Sequence, residues 1–393
     1  MQYIDQVELE NKRILLRVDF NVSLNEKHQL ANDARIRQSL PTIEYLLKKN
    51  NHLLLLSHLD RPHGRDTQFS LEPIVKRLAE YLPGVTVTLV SDLNSLPREN
   101  TRIPTSSEAL FVLENIRFFP GEEANDPKFA KELSSVADVF VNDAFSVSHR
   151  KSTSVVGLPP LLPSYGGLLL KKEIETIKRV LDNPQSPVVT ILGGVKISTK
   201  IKLIEKLISL SDIVLLGGGL ANTFLLALGF QIGRSLAERE EVHQAKHLLT
   251  IAEKKQTRLL LPTDCLVGDL KGQHVEPKLV QSLSGHDQIF DLGPQTIVTY
   301  QQAIAQAKTI IWNGPMGLFE VPAYKHGTDA IYEAITTNAQ ATSLVGGGET
   351  LAALSHKHHL DNITHISTGG GAMLAFIENG TLPGIEALEK ASH

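Results

Sequence analysis

The sequence predicts an α/β protein of two doubly wound parallel-sheet lobes joined by an interdomain helix. Three observations predict it. Short continuous apolar runs recur along the chain, separated by segments of helical period, which is the habit of strands buried on both faces of a parallel sheet. The chain is 393 residues long, beyond the size at which a single core stops growing. One amphipathic stretch lies between two groups of such runs.

Taken in order, the first group is RILLRVDF at 13–20, HLLLLS at 52–57, ALFVLE at 109–114 and DVFVND at 138–143. LLLKKEIETIKRVLDN at 168–183 follows, with Leu170, Ile174, Ile177 and Leu181 at helical spacing and the breaker Pro184 behind it. The second group is PVVTIL at 187–192, DIVLLG at 212–217, TRLLLP at 257–262, TIIWNG at 309–314, TSLVGG at 342–347 and ITHIS at 363–367. The expected division is a first lobe at 1–167, a helix and hinge at 168–184, a second lobe at 185–375 and a tail at 376–393. HKHHLDNITH at 356–365 lacks Cys or carboxylates at ligand spacing and reads as a solvated helix end.

Composition excludes several classes of function. Hydrophobic residues make up 42% and charged residues 21%, near the average for globular proteins. A formal net charge of −4 argues against a dedicated nucleic-acid or anionic-membrane surface. Cys265 is the one cysteine, which rules out an intramolecular disulfide and fits a reducing compartment. The N-terminal residues carry early acids and no apolar signal region, and LLLL at 53–56 is far too short for a membrane span. A cytoplasmic monomer acting on small molecules is expected.

Ligands of open α/β sheets bind outside the carboxyl ends of the strands, so the residues after each apolar run are the candidates. In the first half these are Asp19 and Asn21, His58 and Arg61, Arg117, then His149 and Arg150, with Arg35 just beyond the first loop. Singly, each arginine reads as a solvated residue. Several sharing strand ends suit a small polyanion, because the guanidinium fork matches phosphate and carboxylate. In the second half the strand ends are glycine-rich: Gly193-Gly194, Gly217-Gly218-Gly219, Asn313-Gly314-Pro315, Gly346-Gly347-Gly348 and Gly369-Gly370-Gly371. Glycine lets main-chain amides approach a phosphate, so these loops suggest a nucleotide lying across the sheet. Neither GxxxxGK[ST] nor GxGxxG occurs, which counts against a P-loop and against a nicotinamide-dependent oxidoreductase. Lys196 and Lys200, read as one helical turn apart at a helix start, are better explained by an anionic ligand than by stability, since cations there oppose the helix dipole.

These residues fall in motifs that resemble the phosphoglycerate kinases: RVDFNV at 17–22, RIRQSLPTI at 35–43, SHLDRP at 57–62, LENIRF at 113–118, NDAFSVSHR at 142–150, ILGGVKISTK at 191–200, GGGLANTF at 217–224, DLGPQT at 291–296, WNGPMGLFE at 312–320, GGGET at 346–350, STGGGA at 367–372 and LPGIEAL at 382–388. They occur in that family's order over nearly the whole chain. The resemblance implies that Asp19, Phe20, Asn21, Arg35, His58, Leu59, Asp60, Arg61, Arg117 and Arg150 hold phosphoglycerate, with Arg35 near the transferring group. It implies that Lys196 and Lys200 contact the nucleotide phosphates and that Gly217, Gly218, Gly219, Asn313 and Pro315 flank adenine and ribose. Glu320 would bond the ribose hydroxyls, and Gly346, Gly347 and Thr350 would belong to the same nucleotide site. The amides of Gly348 and Gly371 would face the transferring phosphoryl, Glu349 would hold Mg2+ beside ATP or ADP, and the tail would pack back on the first lobe.

Asp60 stands where the family usually has glycine, Ser146 replaces glycine, Glu349 replaces the metal-binding aspartate, and Ser23 replaces proline. The implied chemistry is in-line phosphoryl transfer stabilised by Arg35, Lys196, Lys200, Mg2+ and glycine amides, with no general base, completed when the lobes close about the helix at 168–183. A non-catalytic nucleotide-binding relative is the rival from another class, and a coupled assay for ATP formation separates the two.

Overall fold

The computed structural model describes residues 1–25, 28–96, 103, 109–355 and 357–391. Two compact units divide the chain, Met1–Glu175 with Asn379–His393, and Thr176–Glu378.

The first unit contains β1 (Arg13–Arg17), α1 (Ala34–Lys48), β2 (His52–Leu56), α2 (Glu72–Tyr81), β3 (Thr86–Val90), β4 (Ala109–Leu113), α3 (Pro127–Ser135), β5 (Val139–Asn142), β6 (Ser164–Gly166) and the start of α4 (Leu168–Asp182). All six strands are parallel, in the order β3-β4-β2-β1-β5-β6. β1 pairs with β2 from Arg13↔His52 to Arg17↔Leu56, and with β5 on its other side. Leu53, Leu54, Leu55 and Leu56 are wholly buried, as a strand covered on both faces requires. From β1 the chain winds first to β2 and later to β5, so the loops after β1 and β5 part at the carboxyl edge of the sheet. That crevice is where such folds bind ligands.

The second unit holds β7 (Val188–Leu192), α5 (Ile201–Leu210), β8 (Ile213–Leu216), α6 (Gly218–Ala227), α7 (Val242–Lys255), β9 (Arg258–Leu260), β10 (Asp264–Val267), β11 (Glu276–Leu279), β12 (Ile289–Leu292), α8 (Pro294–Gln306), β13 (Thr309–Asn313), α9 (His326–Thr337), β14 (Thr342–Gly346), α10 (Gly348–Leu354), β15 (His365–Ile366) and most of α11 (Gly371–Asn379). Its six-stranded parallel sheet runs β15-β14-β13-β7-β8-β9, and β7 and β13 meet where the winding reverses. Trp312, Tyr300, Ile310 and Val189 centre its core. The last helix, α12 (Pro383–Ala391), belongs to the first unit, where the Gly384 amide donates to the Ser148 carbonyl at 2.8 Å.

Each apolar run forms a strand, and most strands stop short of the run that announced them. RILLRVDF yields only Arg13–Arg17 and ITHIS only His365–Ile366, because the remaining residues turn into the strand-end loops. Unannounced are β3, β6 and a three-stranded antiparallel sheet of order β11-β10-β12. β3 alternates Thr and Val at a sheet edge, β6 has three residues, and β11 (EPKL) is largely exposed. None offers an apolar run. The histidine-rich segment is not a helix end: α10 stops at Leu354, Leu360–Asn362 is a single 3-10 turn, and His365 is buried in β15, while His356 lies outside the described residues. Among the described residues no group of three or more His, Cys, Asp or Glu could hold a metal, and no helix is long and apolar enough to cross a membrane.

Candidate functional site

In the first unit, the loop after β1 folds back on itself. The Asp19 carboxylate accepts from the Asn21 amide at 3.0 Å, and it also takes the Arg35 guanidinium and the Ser146 hydroxyl. Asn21 passes the constraint on, its side-chain oxygen accepting from the Asp60 amide at 2.8 Å. Arg117 donates to the Asp60 carbonyl, and its Nε stands 3.6 Å from Glu123. A cavity of about 350 Å³ is lined by Arg17, Arg117, Arg150 and Lys151 with Glu122 and Glu123 at its side.

His58 is buried at 4% exposure within reach of the charges of Arg17, Arg117, Arg35 and Arg150. Burial first, and those guanidiniums next, hold its imidazole well below the usual histidine range, so the ring is neutral. Burial also lowers Arg117, opposed by Glu123. Phe20 and Leu59 turn their side chains into the core and reach this region through main chain alone: the Phe20 amide donates to Ser57 at 2.9 Å, and the Leu59 carbonyl accepts from Asn115 at 2.7 Å. Arg61 and Arg150 are exposed, and among the described residues neither forms an ion pair.

Asp60 adopts φ +52°, the left-handed region that favours glycine and that Asp tolerates better than most residues. Its carboxylate accepts from the Arg61 amide at 2.8 Å and the residue is exposed. A backbone demand therefore accounts for the position, with the side chain spent on its own loop.

In the second unit, the loops after β7 and β13 cross at the reversal of the winding. The Gly193 amide donates to the Asn313 carbonyl at 2.9 Å and the Gly194 amide to Pro315 at 3.0 Å. A Cβ on Gly193 would lie 2.0 Å from the Pro315 oxygen, and one on Gly314 would lie 2.4 Å from the Gly193 carbonyl carbon. Only glycine permits the crossing. Beside it opens a cavity of about 360 Å³, lined by Gly194, Gly218, Gly219, Pro315, Glu320 and Glu349, with a mainly apolar interior of Leu225, Ile289, Phe290 and Met316. Tyr324 stacks on Phe290 from outside, ring centroids 4.6 Å apart.

Several predicted residues support this cavity without lining it. The Asn313 amide donates to the Gly346 carbonyl at 2.8 Å while its oxygen accepts from Lys200 Nζ at 3.1 Å. Thr350, fully buried, accepts from the Gly314 amide at 2.8 Å, and the Gly217 amide is bonded to Leu192 at 2.9 Å. Gly347 has φ +110° and precedes α10. Gly348 and Gly371, the first residues of α10 and α11, face open space, a Cβ on either meeting nothing within 4 Å.

The lysine pair departs from expectation. α5 begins only at Ile201, so Lys196 lies in a loop and Lys200 is the cap residue; they are not one helical turn apart. Lys200 is largely buried, which lowers its amine below the usual lysine range against the pull of Glu349. Lys196 is exposed and acts electrostatically on Glu238, whose carboxylate accepts from the Ile197 amide and, at 3.0 Å, from the Ser198 amide. Groups missed at the sequence level are Arg17, Glu122 and Ser154 beneath His58, and Asp291 in the wall of the apolar cavity. An arginine within the apolar run RILLRVDF was the available signal, because a buried charge demands partners.

A family model described as phosphoglycerate kinase matches residues 4–380. The chain belongs to the phosphoglycerate kinase family. A phosphoglycerate kinase of Chloroflexus aggregans is 43% identical over 394 residues, covering 99% of this chain and 98% of that one. One of Dictyoglomus turgidum is 44% identical, covering 97% and 96%, and a cytosolic phosphoglycerate kinase of Triticum aestivum is 41% identical, covering 99% and 98%. Among solved structures, phosphoglycerate kinase from Coxiella burnetii matches with TM-score 0.89 at 38% identity, covering 100% of this chain and 99% of that one. The enzyme from Pyrococcus horikoshii OT3 matches with TM-score 0.82 at 32% identity and the same coverage. The family's reaction is the reversible transfer of a phosphoryl group between 1,3-bisphosphoglycerate and ADP, giving 3-phosphoglycerate and ATP in glycolysis, and this chain is an enzyme of that class acting on those small molecules.

Proposed function

We propose that the first unit holds the phosphoglycerate and the second the nucleotide. Asp19, Asn21, Arg35, His58, Arg61, Arg117 and Arg150 would bind the acid, with Phe20, Leu59 and Asp60 contributing main chain. Gly218, Gly219, Pro315 and Glu320 would flank base and ribose in the apolar cavity. The observation that carries this reading is the cavity lined by Arg17, Arg117, Arg150 and Lys151, with buried His58 3.3 Å from Arg17, a surplus of cationic donors that suits an anionic ligand.

In the direction of ATP use, a carboxylate oxygen of 3-phosphoglycerate attacks the terminal phosphorus as the bond to the bridging oxygen breaks and ADP leaves. An ionised carboxylate is already a nucleophile, so no proton is removed and no general base is needed. What the chain's residues would do is position and neutralise: Arg35 near the transferring group on the acid's side, and Lys200, bonded to Asn313, with the Gly348 and Gly371 amides on the nucleotide's side, each offsetting charge that spreads over the equatorial oxygens. The approach of the two units that transfer requires is part of the proposal.

Glu349 suits Mg2+ of the kind that arrives with nucleotide phosphates, since its carboxylate lines the cavity beside Gly194, and that cation keeps most of its ligands as water and phosphate oxygen. Bound there, Mg2+ would neutralise the nucleotide's phosphate charge. A cytoplasmic monomer completes the reading, with buried Cys265 in keeping with a reducing compartment.

The test is Arg35→Ala in a coupled ATP assay. Turnover is expected to fall by about 10² while nucleotide Kd stays unchanged, the pattern for losing a donor used in the transition state. A loss confined to phosphoglycerate affinity would reduce Arg35 to a binding residue.

A further inference from the structure

Beneath the proposed phosphoglycerate site, and outside the set of residues that would touch substrate, runs a directional chain of buried polar groups. Glu122 is 3% exposed and devotes both carboxylate oxygens to one residue, taking the Ser154 amide at 2.9 Å and the Ser154 hydroxyl at 2.6 Å. Two further bonds zip these segments together, from the Thr153 amide to the Glu122 carbonyl at 2.9 Å and from the Thr153 hydroxyl to the Gly121 carbonyl at 2.7 Å. A serine hydroxyl has one proton. With that proton given to Glu122, the Ser154 oxygen can only accept, and it does so from Arg17 Nε at 2.9 Å.

Arg17 is itself 2% exposed and tied on its remaining sides. One terminal nitrogen donates to the Val18 carbonyl and, at 3.3 Å, to the Leu56 carbonyl. The other stands 3.3 Å from His58 Nδ1. A guanidinium has donors only and keeps its proton. His58 Nδ1 must therefore accept, which leaves the ring's single proton on Nε2.

We propose that Glu122 and Ser154 are positioning residues for phosphoglycerate binding: through Arg17 they fix His58 in its neutral, Nε2-protonated form, so that the ring offers a directed donor to an oxygen of the acid. The inference rests on the reading that places His58 in the phosphoglycerate site. Protonating the ring would set an N–H of His58 against an N–H of Arg17, with Arg117, Arg35 and Arg150 also facing it, while Asp19 is already taken by Arg35. Burial and these cations act in the same direction. Glu122 also supplies the countercharge that keeps Arg17 ionised against its desolvation. Charge for the polyanion comes from the arginines, and the histidine contributes direction.

Nitrogen-15 spectra of the imidazoles in the intact enzyme, taken from pH 6 to pH 8, read the ring directly. A single Nε2-protonated His58 that does not titrate over that range is expected, with its Nε2 signal moving when 3-phosphoglycerate is added. A ring protonated at Nδ1, or a cationic ring, would overturn the network while leaving the site reading intact. A fixed Nε2 tautomer indifferent to 3-phosphoglycerate would overturn the site reading, and the binding role with it. Ser154→Ala, which only removes an oxygen, is expected to mix the tautomers and to raise the KM for 3-phosphoglycerate about tenfold with kcat and nucleotide KM within about twofold. Unchanged tautomer and KM in Ser154→Ala would remove Ser154 and Glu122 from any positioning role.

Discussion

In the first unit the groups around the crevice are guanidiniums and one imidazole, three of the guanidiniums oriented by a second polar group: the Asp19 carboxylate for Arg35, the Asp60 carbonyl for Arg117, the Ser154 hydroxyl for Arg17. In the second, the corresponding crevice is made of main chain, with Gly193, Gly194 and Gly314 packed too closely for any Cβ at two of the three positions. Both sit at the reversal of a six-stranded parallel sheet, so the fold offers the same place twice. The difference lies in what fills it. A side-chain site can lose one member and keep its frame, whereas a main-chain site is the frame.

That contrast sets the order of expected effects. Gly193→Ala drives a methyl to 2.0 Å from the Pro315 oxygen, backbone against backbone, and is expected to destabilise the second unit by about 3 kcal/mol or more and to abolish nucleotide binding. Gly348→Ala, whose methyl meets nothing within 4 Å, should melt within about 0.5 kcal/mol of the parent and lose activity alone. Calorimetry of the two variants decides; equal melting would break the distinction between frame and contact.

A pH-dependent effect concerns something the units share. Asp143 in the first and Asp291 in the second are buried carboxyls at helix starts, both pushed up to about 7 by desolvation, with backbone amides opposing. Asp143 accepts from the Leu169 and Leu170 amides at 2.9 and 3.1 Å, and Asp291 from the Gly327 amide at 2.9 Å. Between about pH 4 and 7 a carboxyl so raised is protonated in the native state and ionised in the unfolded chain, so its stabilising share is complete below about pH 4 and is lost as pH rises through about 7. Asp143→Asn should match the parent near pH 4 and exceed it by on the order of 4 kcal/mol at pH 8. Parallel melting curves across that range would place the Asp143 pKa back among ordinary carboxyls.

Least of all should happen at Asp60. With its carboxylate on the Arg61 amide and its φ suited to glycine, Asp60→Gly is expected to leave the phosphoglycerate KM within about twofold even at low salt. A KM that falls, with a gain that shrinks as salt is added, would mean the carboxylate repels substrate after all.

How much of this was legible depended on whether a feature rests on residue type or on geometry. The strands of both sheets were written as apolar runs because β2 and β7 are buried on both faces. Edge strands such as β3, half exposed, carry no such run, and the β10–β12 sheet is built of four-residue strands, one of them largely exposed, too short to announce themselves. Arg117 announced itself as a cation at a strand end, His58 as a hydrogen-bonding group at another, and Arg35 as a cation just beyond the first loop. Glu122 could not, because in sequence it is one more acid in GEEAND, and only the fold brings it to Ser154. Lys196 and Lys200 had the spacing of a helical turn, but α5 begins after both, since the loop between β7 and α5 is held instead by Glu238 on the amides of Ile197 and Ser198.

The return of α12 to the first unit bears on how the protein is made. The second unit is one unbroken stretch, Thr176–Glu378, whereas the first needs residues from both sides of it. On a ribosome, the earliest part to emerge is therefore not the earliest that can be finished. The second unit has its full set of strands and helices while Ile385 and Leu388, buried residues of α12, are still being added. Only then does the Gly384 amide reach Ser148, two residues ahead of Arg150. The usual order of domain completion during synthesis, amino-terminal first, is inverted by topology. The loop that carries Arg150 is the last to be locked.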